Sequence, residues 1–447
     1  MSSSAAVLRE FDRYDDENDI ASSSARQAGA EATDNLPSSS KATYQFTPKF
    51  QHSVKNNPLC GITFPEWVGL LRRRWKDIEW RTYWPRLVVL TILSGLNSLL
   101  ALPEYLFYSK RISKTEINPR PVFILGHPRT GTTMLHSLLA LDTEQFSICT
   151  TFCSGFPSSF LWLEQWGGKK AFAGVMDETR PMDNVPLDFD LPQEDELATN
   201  VWTASDPVSP YMALFFMTDE PSFRPFFAFD DNAKHSDERL PPERMAAARK
   251  RWTSAFLYLL KKLTLRDQLL HNQESSSSRR RLVLKSPVHT GRIRLLLNLF
   301  PDAQFIFIHR HPAEVFQSAA HMADTTYWYT YMTTPSSEQI QEFILRQYEI
   351  LWERYQQDKQ LLKENQIIEI SYEELSEKPI QTLERIYQTL EWDVSLPFRQ
   401  RLDEQLSDHN IYQRNRHNKL PEALLQLIEN RWGNSYESLG YPRECTT

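Results

Sequence analysis

The clearest change of hydrophobic pattern in the chain lies between Pro121 and Asp142. Val122–Leu125 is a short apolar run bounded by a proline and a glycine, which predicts a buried strand. From Thr132 onward apolar residues recur at three- and four-residue spacing, the pattern of a helix with one buried face. The loop between them, GHPRTGTT, contains two of the 13 glycines of the chain. Such a loop directs backbone N–H groups at one point, so this unit predicts a phosphate or sulfate site.

The same alternation of strand and helix returns further along the chain. Residues 282–284 and 305–308 are apolar runs that predict two strands, with a helix at 292–300 between them. A last strand is predicted at 366–371, between two helical patterns. This order predicts an α/β, P-loop-type three-layer fold with a central, mostly parallel sheet flanked by helices. Ligands of such sheets bind at the carboxyl ends of the strands.

The N-terminal part of the chain follows other patterns. Residues 1–60 are rich in serine and poor in aliphatic residues, which predicts a disordered tail. Because acids occur early and no apolar run follows the first residues, we expect no secretory signal peptide and no secretion. The rest, residues 116–447, is predicted to be the main domain, with an insertion at about 146–245 that covers a substrate pocket.

Residues 61–115 are apolar and basic and predict a helical N-terminal extension. Residues 87–102 carry no charge, but this run is shorter than the roughly 20 residues of a membrane span. Three interpretations stay open: an amphipathic hairpin on the domain or a membrane surface through 64–111, a single-pass anchor of the Golgi type, and a buried core helix. The expected location is accordingly cytoplasmic or membrane-associated.

Composition narrows the range of partners. The net charge of −7 gives no general attraction to nucleic acid, so no nucleic-acid partner is expected.

Of the four cysteines, Cys149 and Cys153 would share one face of a helix. A disulfide between them is one interpretation, and reduced structural thiols are the favoured one. The pattern of the chain makes no prediction of oligomeric state.

The chemistry of the glycine loop separates two classes of enzyme. The spacing Gly126-x4-Gly131 matches the start of a nucleotide-binding P-loop, but Thr132 stands where an ATP or GTP binder needs lysine. The cation lies inside the loop, at Arg129. The run Arg129-Thr130-Gly131-Thr132-Thr133 resembles the loop of sulfotransferases. This resemblance implies 3′-phosphoadenosine 5′-phosphosulfate (PAPS) as co-substrate and 3′-phosphoadenosine 5′-phosphate (PAP) as product, without a metal. It places His127 and residues 129–133 at the 5′-phosphosulfate.

A second candidate anchor follows the strand at 305–308. An ATP-using P-loop enzyme usually has an aspartate for magnesium after such a strand, whereas this chain has His309 and Arg310. The pattern Arg310-x-Pro312-x-x-Val315 leading to Ser318 is similar to the sulfotransferase pattern that binds the 3′-phosphate of PAPS. A basic turn with Arg414, Arg416 and Lys419 is a further candidate for that phosphate, the alternative being a solvated turn.

Two segments supply candidates for acid–base chemistry. Lys285-Ser286-Pro287-Val288-His289 and Pro192-Gln193-Glu194-Asp195-Glu196 resemble elements of a broad sulfotransferase subfamily with bacterial and algal members. His289 is the first candidate for the general base, its alternative being a core histidine. Glu194 is the second, and Glu194 or Glu196 could face the acceptor, their alternative being helix capping. Arg129 and Lys285 are expected to stabilise charge on the leaving group.

These observations favour a PAPS-dependent sulfotransferase that transfers a sulfuryl group in line, without a metal, to a hydroxyl or an amine. The aromatic-rich insertion and the aromatic run 325–332 suggest a small-molecule, lipid or carbohydrate acceptor. Two alternatives stay open: a P-loop kinase or other NTP-dependent transferase, and a non-catalytic, membrane-associated interaction protein.

Overall fold

The computed structural model describes residues 43–47, 51–172, 188–230, 239–271, 280–407 and 420–443. A five-stranded sheet lies at its centre, with the strand order β2-β3-β1-β4-β5 and every neighbouring pair parallel. The strands are β1 Val122–Leu125, β2 Phe146–Ile148, β3 Arg281–Lys285, β4 Gln304–His309 and β5 Ile367–Ser371. The parallel sheet predicted from the sequence is therefore confirmed, and β1 occupies its middle.

The register of the central strands places the loop after β1 beside the ends of its neighbours. Ile124 of β1 pairs with Lys285 of β3 and with Ile306 of β4. Because all strands run in the same direction, the segments that follow β1, β3 and β4 leave the sheet at one edge. The four predicted strands are found within one or two residues of their expected ends. The strand β2 was not predicted, because three residues carry too little periodicity to identify.

Helices cover both faces of the sheet. Successive β1 residues point to opposite sides: Val122 and Ile124 belong to one buried apolar cluster, and Phe123 and Leu125 belong to the other. This arrangement confirms the predicted three layers. The α-helices of the described residues are α1 Phe64–Arg74, α2 Trp80–Lys114, α3 Thr132–Leu139, α4 Thr151–Gly155, α5 Phe160–Gln165, α6 Gly168–Phe172, α7 Glu196–Trp202, α8 Pro242–His271, α9 Ile293–Leu299, α10 Pro312–Thr326, α11 Ser337–Asp358, α12 Tyr372–Glu377, α13 Pro379–Thr389, α14 Leu396–Ser407 and α15 Glu422–Leu439.

Helix α3 starts directly at the glycine loop and packs beneath the sheet through Leu135, Leu138 and Leu139. On the opposite face the long helices α8 and α11 form the larger apolar cluster. Short 3₁₀ helices connect these layers at Pro210–Leu214, Met217–Phe227, Pro287–Gly291 and Tyr327–Tyr329. The segment predicted as an insertion thus contains β2 and several short helices, and parts of it lie outside the described residues.

The N-terminal boundary differs from the expected one. Residues 1–42 of the predicted disordered tail lie outside the described residues. Residues 51–60 are not a tail: Leu59 is buried, and the side-chain amide of Asn57 donates to the carbonyl of Tyr329 at 3.0 Å. A tail boundary at residue 60 is therefore too late, because Asn57 and Leu59 find partners far along the chain that composition does not indicate.

Helix α2 has an unusual distribution of polar and apolar residues. It is the one helix in the described part of the chain that is long and apolar enough to cross a membrane. Its buried face nevertheless carries Arg86, Asn97 and Glu104, whereas Ile92 and Leu106 on the other face are 67% and 70% exposed. The helix is therefore packed on the domain along one side only.

The thiols of Cys149 and Cys153 are buried and not bridged, as the favoured interpretation expected.

Candidate active site

The loop after β1, residues 126–133, is called the anion loop below. Gly126 and Gly131 have φ of +149° and +96°, which side chains rarely allow. A Cβ at Gly131 would lie 2.5 Å from the Tyr372 ring, so only glycine fits there. The N–H and the hydroxyl of Thr130 both donate to the carbonyl of His127, at 3.2 and 2.8 Å, and close the turn. The loop thus leads tightly into α3, whose first N–H groups have no carbonyl partner within the helix.

Arg129 adopts a left-handed backbone conformation, with φ of +76°. Such a conformation costs a non-glycine residue about 1–3 kcal/mol and is typical of functional sites. It places the Arg129 side chain so that Nε donates to the Ser318 hydroxyl at 3.0 Å. Arg310 approaches the same turn, with Nη1 3.5 Å from the carbonyl oxygen of Arg129. The two motifs that the sequence suggested as separate anchors therefore converge at one point of the sheet edge.

The Arg310 guanidinium is held from two sides. The Glu314 carboxylate lies 2.7 Å from it, and the Tyr372 ring lies 4.5 Å below it. These contacts fix the guanidinium plane while its charge stays close to the anion loop. A ligand with two anionic groups would find the start of α3 for one of them and the Arg310 guanidinium for the other.

His127 stays neutral in the anion loop. Its Nδ1 donates to the Pro128 carbonyl at 2.8 Å, so Nε2 carries a lone pair. Nε2 is buried and has no hydrogen-bond partner among the described residues. Burial lowers the pKa of His127 to about 3. The ring lines a cleft together with Thr130, Thr290 and Arg310, so His127 is a neutral hydrogen-bond acceptor of this site.

Lys285, the last residue of β3, connects the anion loop to the predicted acidic segment. Its Nζ lies 2.8 Å from a Glu194 carboxylate oxygen and 3.4 Å from the Thr133 hydroxyl. The side chain is almost completely buried. The Lys285 ammonium group therefore lies between Thr133, in the first turn of α3, and the carboxylate of Glu194.

The three consecutive acids Glu194, Asp195 and Glu196 are called the acid row. Each pairs with a different basic residue of the segment after β3. Glu194 pairs with Lys285, Asp195 lies 2.7 Å from His289 Nε2, and Glu196 lies 2.8 Å from the Arg292 guanidinium. Each member of the acid row is thus paired with its own basic residue, which is Lys285, His289 or Arg292.

The members of the acid row differ in their exposure. The side chains of Asp195 and Glu196 are completely buried, whereas the Glu194 side chain is 23% exposed. Burial alone would raise the pKa of Asp195, but His289 and the Ser286 hydroxyl outweigh it and hold that pKa below its usual value. Glu194 also accepts a hydrogen bond from the Tyr211 hydroxyl. Among the three acids, Glu194 is the one that a bound molecule can reach.

Burial separates the predicted acid–base candidates. We expected His289 to point towards the acceptor pocket, but its ring is fully buried and packs at 5.4 and 5.6 Å from the rings of Phe123 and Phe256. We also expected that Glu194 or Glu196 could face the acceptor, and this stays a prediction for Glu194. Glu196 is enclosed by Arg292 and by the indole N–H of Trp252, which donates at 2.9 Å. Phe123 of β1 and Phe256 of α8 pack against His289, and Trp252 of α8 contacts Glu196. Local sequence does not show these contacts.

Sequence reasoning missed Arg292 and Tyr211, whereas Tyr327 lies in the aromatic run 325–332 that we expected near the acceptor. Lys285, His289 and Arg292 follow one another at intervals of four and three residues. This regular spacing of basic residues, set against three consecutive acids, was the available signal for Arg292. Burial raises the pKa of Tyr327, while Arg129 lowers it and Glu194 raises it, so its hydroxyl lies within range of both charges. Neither tyrosine has a sequence signal beyond its aromatic neighbours.

Two further predictions concern cations. Arg414, Arg416 and Lys419 lie outside the described residues. Among the residues that the structure describes, no group of three or more His, Cys, Asp or Glu side chains is arranged to hold a metal ion. The expectation of a metal-free site stays a prediction.

Comparison with known proteins identifies relatives. The family model described as "Sulfotransferase family" matches residues 121–395. The chain is 28% identical over 386 residues to the omega-hydroxy-beta-dihydromenaquinone-9 sulfotransferase Stf3 of Mycobacterium bovis, a match that covers 86% of this chain and 91% of the relative. The Stf3 of Mycobacterium tuberculosis matches with the same values.

Two solved structures have a similar fold. The sulfotransferase STF1 from Mycobacterium tuberculosis aligns with a TM-score of 0.55 at 18% identity, over 83% of this chain and 92% of that one. The sulfotransferase STF9 from Mycobacterium avium aligns with a TM-score of 0.56 at 17% identity, over 86% of this chain and 98% of that one. At these identities the likeness concerns the fold.

Proposed function

The chain belongs to the sulfotransferase family, and we propose that it transfers a sulfuryl group from PAPS to a hydroxyl group of a lipid-like acceptor. The observation that carries this proposal is the convergence of Arg129, Ser318 and Arg310 at the start of α3. It brings two fixed cations and a helix N-terminus within the span of one nucleotide.

In this proposal the donor spans the sheet edge. The 5′-phosphosulfate lies on the anion loop, at Arg129 and the N–H groups of residues 131–133, and the 3′-phosphate lies at Arg310 and Ser318. PAPS carries one anionic group for each of these two cations. His127, which is buried and neutral, accepts a hydrogen bond from the nucleotide.

The reaction exchanges one S–O bond for another. The acceptor oxygen attacks the sulfur, the bond from sulfur to the phosphate oxygen of PAPS breaks, and PAP leaves with the bonding electrons. Negative charge develops on that phosphate oxygen, and Arg129 and Lys285 stabilise it from fixed positions. Lys285 suits this role because it already lies between Thr133 and Glu194.

The acceptor must lose its proton as the new bond forms. Glu194 is the base in this proposal because it is partly exposed and lies beside Lys285, whereas the His289 ring is buried. His289 instead fixes Asp195, the neighbour of Glu194, and so positions the base. Movement of Lys285 towards the charge on the leaving group would free Glu194 to take the proton.

The acceptor class follows from the surroundings and from a relative. Tyr211 and Tyr327 are buried beside Glu194, so this side of the site offers aromatic contact area. The relative Stf3 is named for a hydroxylated menaquinone derivative, an apolar molecule with a hydroxyl group. An isoprenoid or similar lipid alcohol fits both observations better than a carbohydrate.

A thermal-shift comparison of the purified chain tests the donor. We expect PAP to raise the melting temperature strongly, and adenosine 5′-phosphosulfate, which lacks the 3′-phosphate, and magnesium-ATP to have little effect. In Arg310→Ala the advantage of PAP over its analogue lacking the 3′-phosphate should disappear. Stabilisation by magnesium-ATP alone would instead favour a kinase.

Transfer of radiolabelled sulfate from PAPS tests the reaction. We expect label on a polyprenyl-type alcohol and none on the matched methyl ether, which has no proton to lose. Label on a sugar but not on the lipid alcohol would refute the acceptor class and leave the donor intact.

A further inference from the structure

One face of α2 is apolar and exposed along its length. The large apolar residues on this face recur every three or four positions, so they lie on one side of the helix. They are called the outer stripe: Trp84, Val88, Ile92, Leu96, Leu99, Leu102 and Leu106. From Trp84 to Leu106 the stripe extends for about 33 Å at the rise of an α-helix. Exposed apolar surface of this extent is typical of a protein or membrane contact.

The opposite face of α2 is fixed to the domain by polar contacts. Arg86 donates to the carbonyl of Trp328 at 2.8 Å, and Asn97 donates to the carbonyl of Ile62 at 3.1 Å. Glu104 forms a buried ion pair with Lys262. A helix that left the domain to cross a bilayer would carry these polar groups into hydrocarbon without their partners, at high cost. The helix is therefore held where it lies, with the outer stripe facing outward.

Basic residues continue the spacing of the outer stripe at both of its ends. Arg81 precedes Trp84 by three positions, and Lys110 and Lys114 follow Leu106 at intervals of four. All three are exposed, as is Arg111. The single acid of α2, Glu104, is buried in the opposite face. This positive charge contrasts with the net charge of −7 of the whole chain and complements anionic lipid headgroups.

Aromatic residues border the same surface. Trp84 lies at its N-terminal end and is exposed, and Tyr105 and Phe107 flank its C-terminal end. Tryptophan and tyrosine are enriched where hydrocarbon meets headgroups. A protein partner would not require basic residues at both ends of the stripe, whereas a bilayer surface accounts for all three features.

We propose that the outer stripe docks on the surface of an anionic lipid bilayer, with α2 lying along the interface. Apolar side chains enter the boundary of the acyl chains, and Arg81, Lys110 and Lys114 contact the headgroups. This inference does not depend on the sulfuryl-transfer chemistry. It would place an enzyme with a lipid acceptor at the phase that dissolves its substrate.

Vesicle flotation of the full chain tests the proposal. We expect the chain to float with vesicles of phosphatidylcholine and phosphatidylglycerol in equal parts, and far less with phosphatidylcholine alone. The triple variant Ile92→Ser, Leu99→Ser, Leu106→Ser should bind about tenfold more weakly or worse. Its matched control is Leu361→Ser, Val394→Ser, Leu396→Ser, which changes exposed apolar residues elsewhere and should bind like the unmodified chain.

A second pair of variants keeps the apolar surface and changes only charge. Lys110→Glu with Lys114→Glu should lose most of the preference for the anionic vesicles, whereas Lys363→Glu with Lys378→Glu should keep it. The melting temperature of each variant shows that it is folded. These readouts involve no PAPS, so they are independent of the proposed reaction.

Three results would overturn the proposal. The first is a full chain that stays with the soluble fraction in the presence of anionic vesicles. The second is a chain that resists extraction by alkaline carbonate, which would indicate a membrane span. The third is a dimer in light scattering that the stripe variant converts to a monomer while vesicle binding is unchanged, which would assign the stripe to a second copy of the chain.

Discussion

The anion loop and the acid row meet at Lys285, but they are built by different means. The anion loop relies on backbone conformation: two glycines and Arg129 have positive φ, and the cations are few and come from separate motifs. The acid row relies on side chains, with each carboxylate matched to its own basic partner and two of the three pairs completely buried. The comparison indicates that one part of the site binds charge brought by a ligand, while the other neutralises its own charge in advance.

This difference predicts that breaking a pair in the acid row affects folding first. In Arg292→Leu, the carboxylate of Glu196 stays buried without its cation, and we expect the free energy of unfolding to fall by about 3–5 kcal/mol. Urea denaturation followed by circular dichroism measures it. The control is Arg294→Leu, whose ion pair with Asp358 has an arginine side chain that is 62% exposed and should cost less than about 1 kcal/mol. Equal losses in the two variants would contradict the contrast.

A change in the anion loop should affect the reaction and spare the fold. Arg129→Ala removes a fixed cation from the leaving group, so we expect kcat/KM to fall about 10²–10³-fold. The melting temperature should stay close to that of the unmodified chain. Arg120→Ala, an exposed arginine just before β1, should keep full activity. An Arg129 variant that unfolds would show that this arginine is part of the core.

Variants of the two candidate bases, Glu194 and His289, should separate an effect on activity from an effect on stability. Glu194→Gln should lower kcat about 100-fold, because the base is lost while the fold remains. His289→Gln should lower the free energy of unfolding, because Asp195 loses its partner, with a smaller effect on kcat. A His289 variant with unchanged stability and no turnover would restore His289 as the base.

The smallest effect concerns His136, which α3 places under the anion loop. Burial, followed by the charge of Lys285, lowers the pKa of His136 to about 3. The unfolded chain binds a proton there below about pH 6.5 and the folded chain does not, so stability is lost as the pH falls from that value towards 3. We expect the free energy of unfolding to fall by up to about 1.4 kcal/mol per pH unit for this group. Denaturation at pH 7.5 and at pH 5 should show a smaller loss of stability between the two values in His136→Leu than in the unmodified chain.

The parts that the sequence predicted well are those in which neighbouring residues determine the structure. The strand at Val122–Leu125, the turn at Gly131 and the helix from Thr132 follow from local pattern, and the parallel sheet follows from their repetition. The family resemblance named Arg129 and the pair Arg310 and Ser318 as separate anchors, so the contact between Arg129 and Ser318 is a finding of the structure. The predicted strands, turn and helix required no knowledge of distant packing.

The parts that failed depend on distant packing. Three adjacent acids are equivalent in the sequence, and only the closure of Trp252 and Phe256 over His289 and Glu196 separates the reachable carboxylate from the buried ones. The end of the N-terminal tail failed for the same reason, because Asn57 is held by a carbonyl 272 residues away. Alternation of apolar residues also cannot show which face of α2 meets the domain.

The hydrogen bond between Arg129 and Ser318 joins residues 189 positions apart. During synthesis at about 5–20 residues per second, the ribosome needs roughly 10–40 s to supply the second residue after the first. A nascent chain that has completed only β1 and β2 therefore has Arg129 in place but does not yet contain Ser318. We expect the affinity for nucleotide to appear only after residue 318 has been synthesised, when more than two thirds of the chain is complete.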